Sequence, residues 1–370
     1  MSLELELARA TFIIGLISTA FVYERWRMLT GGTITGGYIA YLVSFGQYLD
    51  VIAWFVLSLI GYLAITLVAN YFAPPRKWLF YIGILVPAVV HSATVYAANL
   101  GVFSNLSVYL TAGMYVTSGL TAYDFKRQGI LKTLRVQALI LVAALLVIMP
   151  LRWALAVPGE ISVPGGYVEI SPIVVLVAIM AAALVSTTLG WGSAGIIGTV
   201  FLYQILSFES LLVIVIMTVI GTEIYKFASR WLLLTPRQQG HAILIVGGIS
   251  AWFGLFWAQW FGIAGANTPN EYSLEPLIVI GLLILEASKI GYAKSFGGTA
   301  IVLFFVAAAT FMVSLGGAVP WIAISGMVLA LGLAFTFGFD RMNREISHQI
   351  ENSAKYSIGT HPNNWKIIGK

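Results

Sequence analysis

Gly119-Leu120-Thr121-Ala122-Tyr123-Asp124-Phe125-Lys126-Arg127-Gln128-Gly129 has a counterpart later in the chain, Gly281-Leu282-Leu283-Ile284-Leu285-Glu286-Ala287-Ser288-Lys289-Ile290-Gly291. Both read Gly-Leu, three residues, an acid, two residues, a base, one residue and Gly. Each copy stands where an apolar run ends. The acid and base are therefore expected at a membrane surface, and the pair predicts a chain built by duplication.

Composition sets the solvent. Residues are 59% hydrophobic and 9% charged, against about 25% charge in a soluble domain. A membrane-crossing helix needs about 20 mainly apolar residues, and 370 residues with few long polar gaps hold roughly a dozen. Cysteine is absent, which excludes disulfides, thiolate catalysis and thiolate-held metals. A net charge of +5 is no nucleic-acid signal here, because in lipid the placement of bases matters more than their sum. Glu4 and Glu6 replace the basic flank of a cleaved signal, and no small-residue cleavage site precedes the next span.

Apolar spans are expected at about 6–23, 31–48, 50–72, 78–99, 104–122, 133–155, 171–190, 192–208, 210–232, 241–262, 275–288, 296–315 and 319–338. The segments 31–48 and 192–208 are short and Gly-rich, and fit either a crossing or a re-entrant segment. Arg25 and Arg27, Arg76 and Lys77, Lys126 to Arg135, Arg230 and Arg237, and Lys289 and Lys294 occupy alternate connections. The intervening ones hold Asp50, Glu160, Glu169, Glu209, Glu271 and Glu275. Thirteen spans put every basic connection on one side, the cytoplasmic one by the positive-inside rule. The N-terminus is then outside and the polar 340–370 tail inside, in a multi-pass plasma-membrane protein.

A shift of 161 residues also pairs Gly37 with Gly198, Pro75 with Pro236 and Arg76 with Arg237, while the opening motif pairs at 162. The expected fold is an all-α polytopic transmembrane helix bundle: two parallel six-span repeats (1–156 and 157–316), a further span (317–338) and a cytoplasmic tail (339–370). An even number of spans per repeat gives both copies one orientation, unlike the inverted repeats of many transporters. The first copy keeps the denser basic cluster, Lys126, Arg127, Lys132 and Arg135, and is expected to be the working one.

Two motifs resemble the PgsC/CapC family of poly-γ-glutamate biosynthesis membrane proteins. One is Tyr23-Glu24-Arg25 followed by Gly31-Gly32-Thr33-Ile34-Thr35-Gly36-Gly37-Tyr38; the other is Gly119-Leu120 through Arg127-Gln128-Gly129. The similarity covers roughly residues 10–150, and the family's Pro before the Gly positions is replaced at Thr35 and Ser118. The resemblance implies a membrane subunit of a polymer-synthesising complex. Its partners would be a cytosolic Mur-ligase-like amide ligase and further synthase membrane or export subunits. That ligase would use ATP, with Mg, to activate the γ-carboxylate of glutamate, and the polyglutamate would pass to capsule or export.

The residues themselves fit that division of labour. No GxxxxGK[ST] phosphate cradle occurs, so no cofactor is expected in this chain and ATP chemistry belongs to a partner. His91, His241, His348 and His361 are scattered, with no metal-ligand spacing. The main constellation is Glu24, Arg25, Asp124, Lys126, Arg127, Gln128 and Gly129. Arginine grips carboxylates through forked, charge-assisted hydrogen bonds, and glycine lets backbone amides approach an anion. Arg25 and Arg127 are thus expected to hold glutamate or the growing chain at the ligase junction. Basic residues at span ends also follow from topology alone, which suffices for Lys132 and Arg135.

Secondary candidates are Glu223 with Lys226, three apart on one helix face, and Glu286 with Lys289. The first pair fits an internal ion pair or a substrate path equally; the second reads as a span-end pair. The repeat and the intramembrane charges also fit a secondary transporter for an organic anion. A transferase acting alone lacks a nucleophile with its base.

Overall fold

A computed structural model describes residues 3–26, 28, 32–44, 46–72, 76–99, 112–155, 172–192, 198–199, 202, 208–231, 235–261 and 274–315. The expected spans 319–338 and most of 192–208, the 340–370 tail, residues 104–111, and Glu160, Glu169 and Glu271 lie outside them.

Eleven helices are present among the described residues: α1 (Leu3–Trp26), α2 (Thr33–Ser44), α3 (Tyr48–Phe72), α4 (Arg76–Asn99), α5 (Ala112–Gln128), α6 (Ile130–Ala154), α7 (Pro172–Leu184), α8 (Phe208–Ser229), α9 (Pro236–Trp260), α10 (Glu275–Ile290) and α11 (Tyr292–Ser314). The α7 helix runs on into a π-turn, Val185–Leu189, closed by Gly190 in the left-handed conformation. Proline opens α7 and α9, where its missing N–H costs no helical bond. Arg25, Lys126, Arg127, Lys226 and Lys289 stand in last turns, where a cation meets the negative end of the helix dipole.

Six of these helices are long and apolar enough to cross a membrane: α1, α3, α6, α8, α9 and α11. Their outward faces carry large apolar side chains, such as Leu146 at 70% and Trp153 at 85% exposure, as a lipid solvent requires. The all-α expectation is therefore met. Helix ends differ from the expected spans where charge enters an apolar run. Past the apolar span expected to end at about 122, α5 continues to Gln128, and past the one expected to end at about 288, α10 continues to Ile290. Asp124, Lys126, Arg127, Glu286 and Lys289 are thus helical residues rather than loop residues.

The α3, α4 and α5 helices pack on one another, as do α8, α9 and α10. The α1 helix lies against α2 and α6, and α7 against α11. Two seams join the halves of the chain, α1 on α9 and α4 on α7. A single buried cluster, including Phe12, Leu42, Ile84, Val177, Ile243 and Ile284, runs through both. Contacts between helices are close where glycine faces glycine. A Cβ on Gly37 would lie 2.6 Å from the Phe12 carbonyl, and one on Gly119 2.7 Å from the Gly83 carbonyl. Such small-residue contacts are how helices associate in lipid.

Twelve residues of α2 rise only about 18 Å, less than the roughly 30 Å hydrocarbon core. Its course is nonetheless fixed at both ends. A Cβ on Gly36 would collide with the Thr19 hydroxyl, so α2 starts about 10 Å along α1 from its end. Arg152, near the end of α6, donates to the Ser44 carbonyl that closes α2. The α6 helix begins beside the end of α1, where Val22 packs on Val136 and Ile140. The α2 helix therefore carries the chain back toward the opposite end of the bundle.

Candidate functional site

Glu24 and Arg25 are exposed in the last turn of α1. An acid there opposes the helix dipole, so it needs an external donor. The Gln238 side-chain amide supplies it across 2.7 Å to the Glu24 carboxylate. Gln238 belongs to the first turn of α9, where its amide oxygen accepts the Thr235 N–H at 2.7 Å and its own N–H points to the Thr235 hydroxyl at 3.5 Å. That reciprocal arrangement is a capping box. Beside it, Tyr23 and His241 place their rings 5.1 Å apart.

The motif copy on α5 sorts its charges by face. Asp124 is 6% exposed, whereas Lys126 and Arg127 reach solvent. The Arg127 guanidinium lies 5.6 Å from the Tyr123 ring centre, and Tyr123 packs edge-on to Phe80 at 5.8 Å. Gln128 donates to the Thr133 hydroxyl at 3.0 Å, and that hydroxyl donates to the Gly129 carbonyl. One turn on, Gln137 donates to Thr121 at 3.1 Å, tying α6 to α5. Gly129 holds φ 91° and ψ 151°, a region essentially reserved for glycine. It breaks the helix, so that α5 ends on its cations and α6 departs at once.

The Glu24–Arg25 and Asp124–Gly129 groups are joined through α2 and α6, each of which packs on both α1 and α5. The Gly-rich motif enters here. Gly32, at φ +87°, lies so near Leu120 that a Cβ would approach its side chain to 2.7 Å. The two sequence motifs, about 90 residues apart in the chain, thus meet in space, as a single site requires.

The second copy has a related geometry. Gly291 repeats the backbone of Gly129 with φ 87° and ψ 160°. Glu286 turns inward until a Cβ on Gly192 would strike its carboxylate, while Lys289 is exposed. At the end of α10 the acid thus faces inward and the base outward, as on α5. Next to them Tyr81 donates to the Ser186 hydroxyl at 3.2 Å, linking α4 to the π-turn. Glu223 and Lys226 do pair, at 2.8 Å, but on an exposed surface. Tyr292 donates to Glu223 at 2.7 Å, and the Lys226 ammonium sits 4.8 Å from the Tyr292 ring centre.

Three buried charged groups escaped the sequence reading. Arg9 is fully buried in α1 and bonds Glu6 at 2.6 Å, while the Trp252 indole N–H of α9 donates to Glu6. The Glu-Leu-Ala-Arg spacing at 6–9 was the available signal. Arg152 at 9% and Asp50 at 8% exposure lie at helix ends, where no sequence pattern distinguishes them from span flanks.

Long apolar helices, lipid-facing apolar surfaces and internally bonded charges define a multi-pass membrane protein. Residues 14–134 of the 370 match the family model described as Capsule biosynthesis CapC, and that segment is similar to this family. The segment holds Glu24, Arg25 and all of Asp124–Gly129, whereas Glu223, Lys226, Glu286 and Lys289 fall beyond it. No curated protein and no solved structure matches the chain.

Proposed function

We propose that this chain is the membrane subunit of a poly-γ-glutamate synthase. It docks an ATP-dependent Mur-ligase-like amide ligase and holds or conducts the growing polyglutamate. One observation carries the proposal: within the CapC segment, both motifs converge at one end of the bundle and present Lys126 and Arg127 to solvent. Exposed guanidinium and ammonium groups suit a chain of carboxylates, and the stacking of Arg127 on Tyr123 pre-orders its fork. ATP and Mg would reside on the ligase.

In the same proposal, that end faces the cytoplasm, the N-terminus lies outside, and the chain is a parallel duplication. Support for the duplication comes from the matching packing pairs. Setting α1, α3, α4, α5 and α6 against α7, α8, α9, α10 and α11 converts each packed group into its counterpart, and converts the α1–α9 seam into the α7–α4 seam. The shared Gly129 and Gly291 backbone points the same way.

Membranes carrying the chain and its ligase, given glutamate and ATP, test the site. Arg127→Ala and Glu24→Ala should each lower polymer yield at equal chain level; full yield from both refutes it. A secondary transporter for an organic anion is the second reading. Arg9, fully buried in an apolar helix and paired with the part-buried Glu6, favours it, and uptake by vesicles holding the chain alone is its signature.

A further inference from the structure

We propose that Gln238 is a positioning residue for Glu24, so that the second half of the chain completes the site of the CapC segment. This rests on the synthase reading of Glu24 given above. Gln238 lies outside residues 14–134 and 214 positions from Glu24.

The chemistry of the capping box makes the assignment specific. At the third helical position either Glu or Gln closes a box, because only an acceptor oxygen is needed. The Gln238 oxygen is engaged by the Thr235 N–H. Its amide nitrogen is therefore the group left to face Glu24, at 2.7 Å. A carboxylate in place of this amide would cap α9 equally well and set a second negative charge against Glu24. Glutamine satisfies both demands at once. The seam beneath is packed independently, by Gly248 against Ile13 and Leu16 and by Tyr23 against His241, so the contact rides on a fixed pair of helices.

The test compares parent, Glu24→Ala, Glu24→Gln, Gln238→Glu and the double variant Glu24→Gln/Gln238→Glu, each as full chain with its ligase in membranes. Gln238→Glu keeps the box and removes the donor, so the apparent KM for glutamate should rise about tenfold, the scale of a hydrogen bond to a charged group, with kcat retained. Mere loss of folded chain would lower the rate and leave KM unchanged. In the Glu24→Gln background, Gln238→Glu should add no further rise, since the double variant exchanges the two groups and restores an amide-to-carboxylate hydrogen bond with its direction reversed. An unchanged KM in Gln238→Glu, or the same rise in both backgrounds, overturns the proposal. Because the native chain has no cysteine, a Glu24→Cys/Gln238→Cys chain treated with a short bis-maleimide reads the contact separately. Crosslinking with normal polymer from Glu24→Ala would fault the synthase site alone; failure to crosslink would fault the seam itself.

Discussion

Replacing Gly129 with alanine isolates one term, backbone strain. Gly129 has φ 91° and ψ 151°, and no atom lies within 4 Å of where a Cβ would stand. Packing is therefore untouched, and the cost is that of forcing an L-residue into a glycine-only region, about 1–3 kcal/mol. Gly291, at φ 87° and ψ 160° with the same empty surroundings, should cost the same. Gly240 supplies the control. It sits within α9, outside the positive-φ glycines, also with nothing within 4 Å. Alanine there gains helix propensity, up to about 1 kcal/mol. The three variants carry one identical chemical change and should divide by sign. Purified chains in detergent, followed by tryptophan fluorescence on heating, should melt in the order Gly240→Ala at or above parent, then Gly129→Ala and Gly291→Ala together below it. Parent-like melting of Gly129→Ala, or a Gly240→Ala chain less stable than Gly129→Ala, refutes the reasoning.

Three further outcomes are expected. Arg9→Met leaves the part-buried Glu6 carboxylate with the Trp252 indole as a named donor, and should destabilise by about 1–3 kcal/mol; Glu6→Gln/Arg9→Met should recover most of the loss in the same melting assay. Gly119→Ala drives a methyl to 2.7 Å from the Gly83 carbonyl and the Ile84 Cα, an overpacking of about 1–3 kcal/mol, read as a lower melting temperature. Lys226→Met removes an exposed pair with Glu223 and should alter neither melting nor polymer yield; a fall in yield at normal chain level would place Glu223 and Lys226 in the site.

What the sequence disclosed follows from how local each feature is. The Gly-acid-base-Gly motif was legible because Gly129 and Gly291 each meet a backbone demand that other residues do not. Helical character and apolar length were legible for α3, α6 and α11, whose runs are long and sparingly charged. The apolar spans expected to end at about 122 and 288 are shorter than their helices, because the backbone stays helical through Lys126 and Lys289. Glu24 was a site candidate from the sequence, but its hydrogen-bond partner Gln238 was not. A glutamine 214 residues away carries no periodic signal, and its capping box with Thr235 marks only a helix start. The burial of Asp124 and the approach of Glu286 to Gly192 join separate segments of the chain and are visible only in three dimensions.

The measurement that bears most directly on the proposed synthase is the incorporation of labelled glutamate into acid-precipitable, γ-linked polymer by membranes supplied with ATP. Membranes holding both this chain and its ligase should form polymer, and neither protein alone should; Arg127→Ala and Glu24→Ala should lower the yield. Full polymer from the ligase alone, or concentrative glutamate uptake by vesicles holding only this chain, would contradict it.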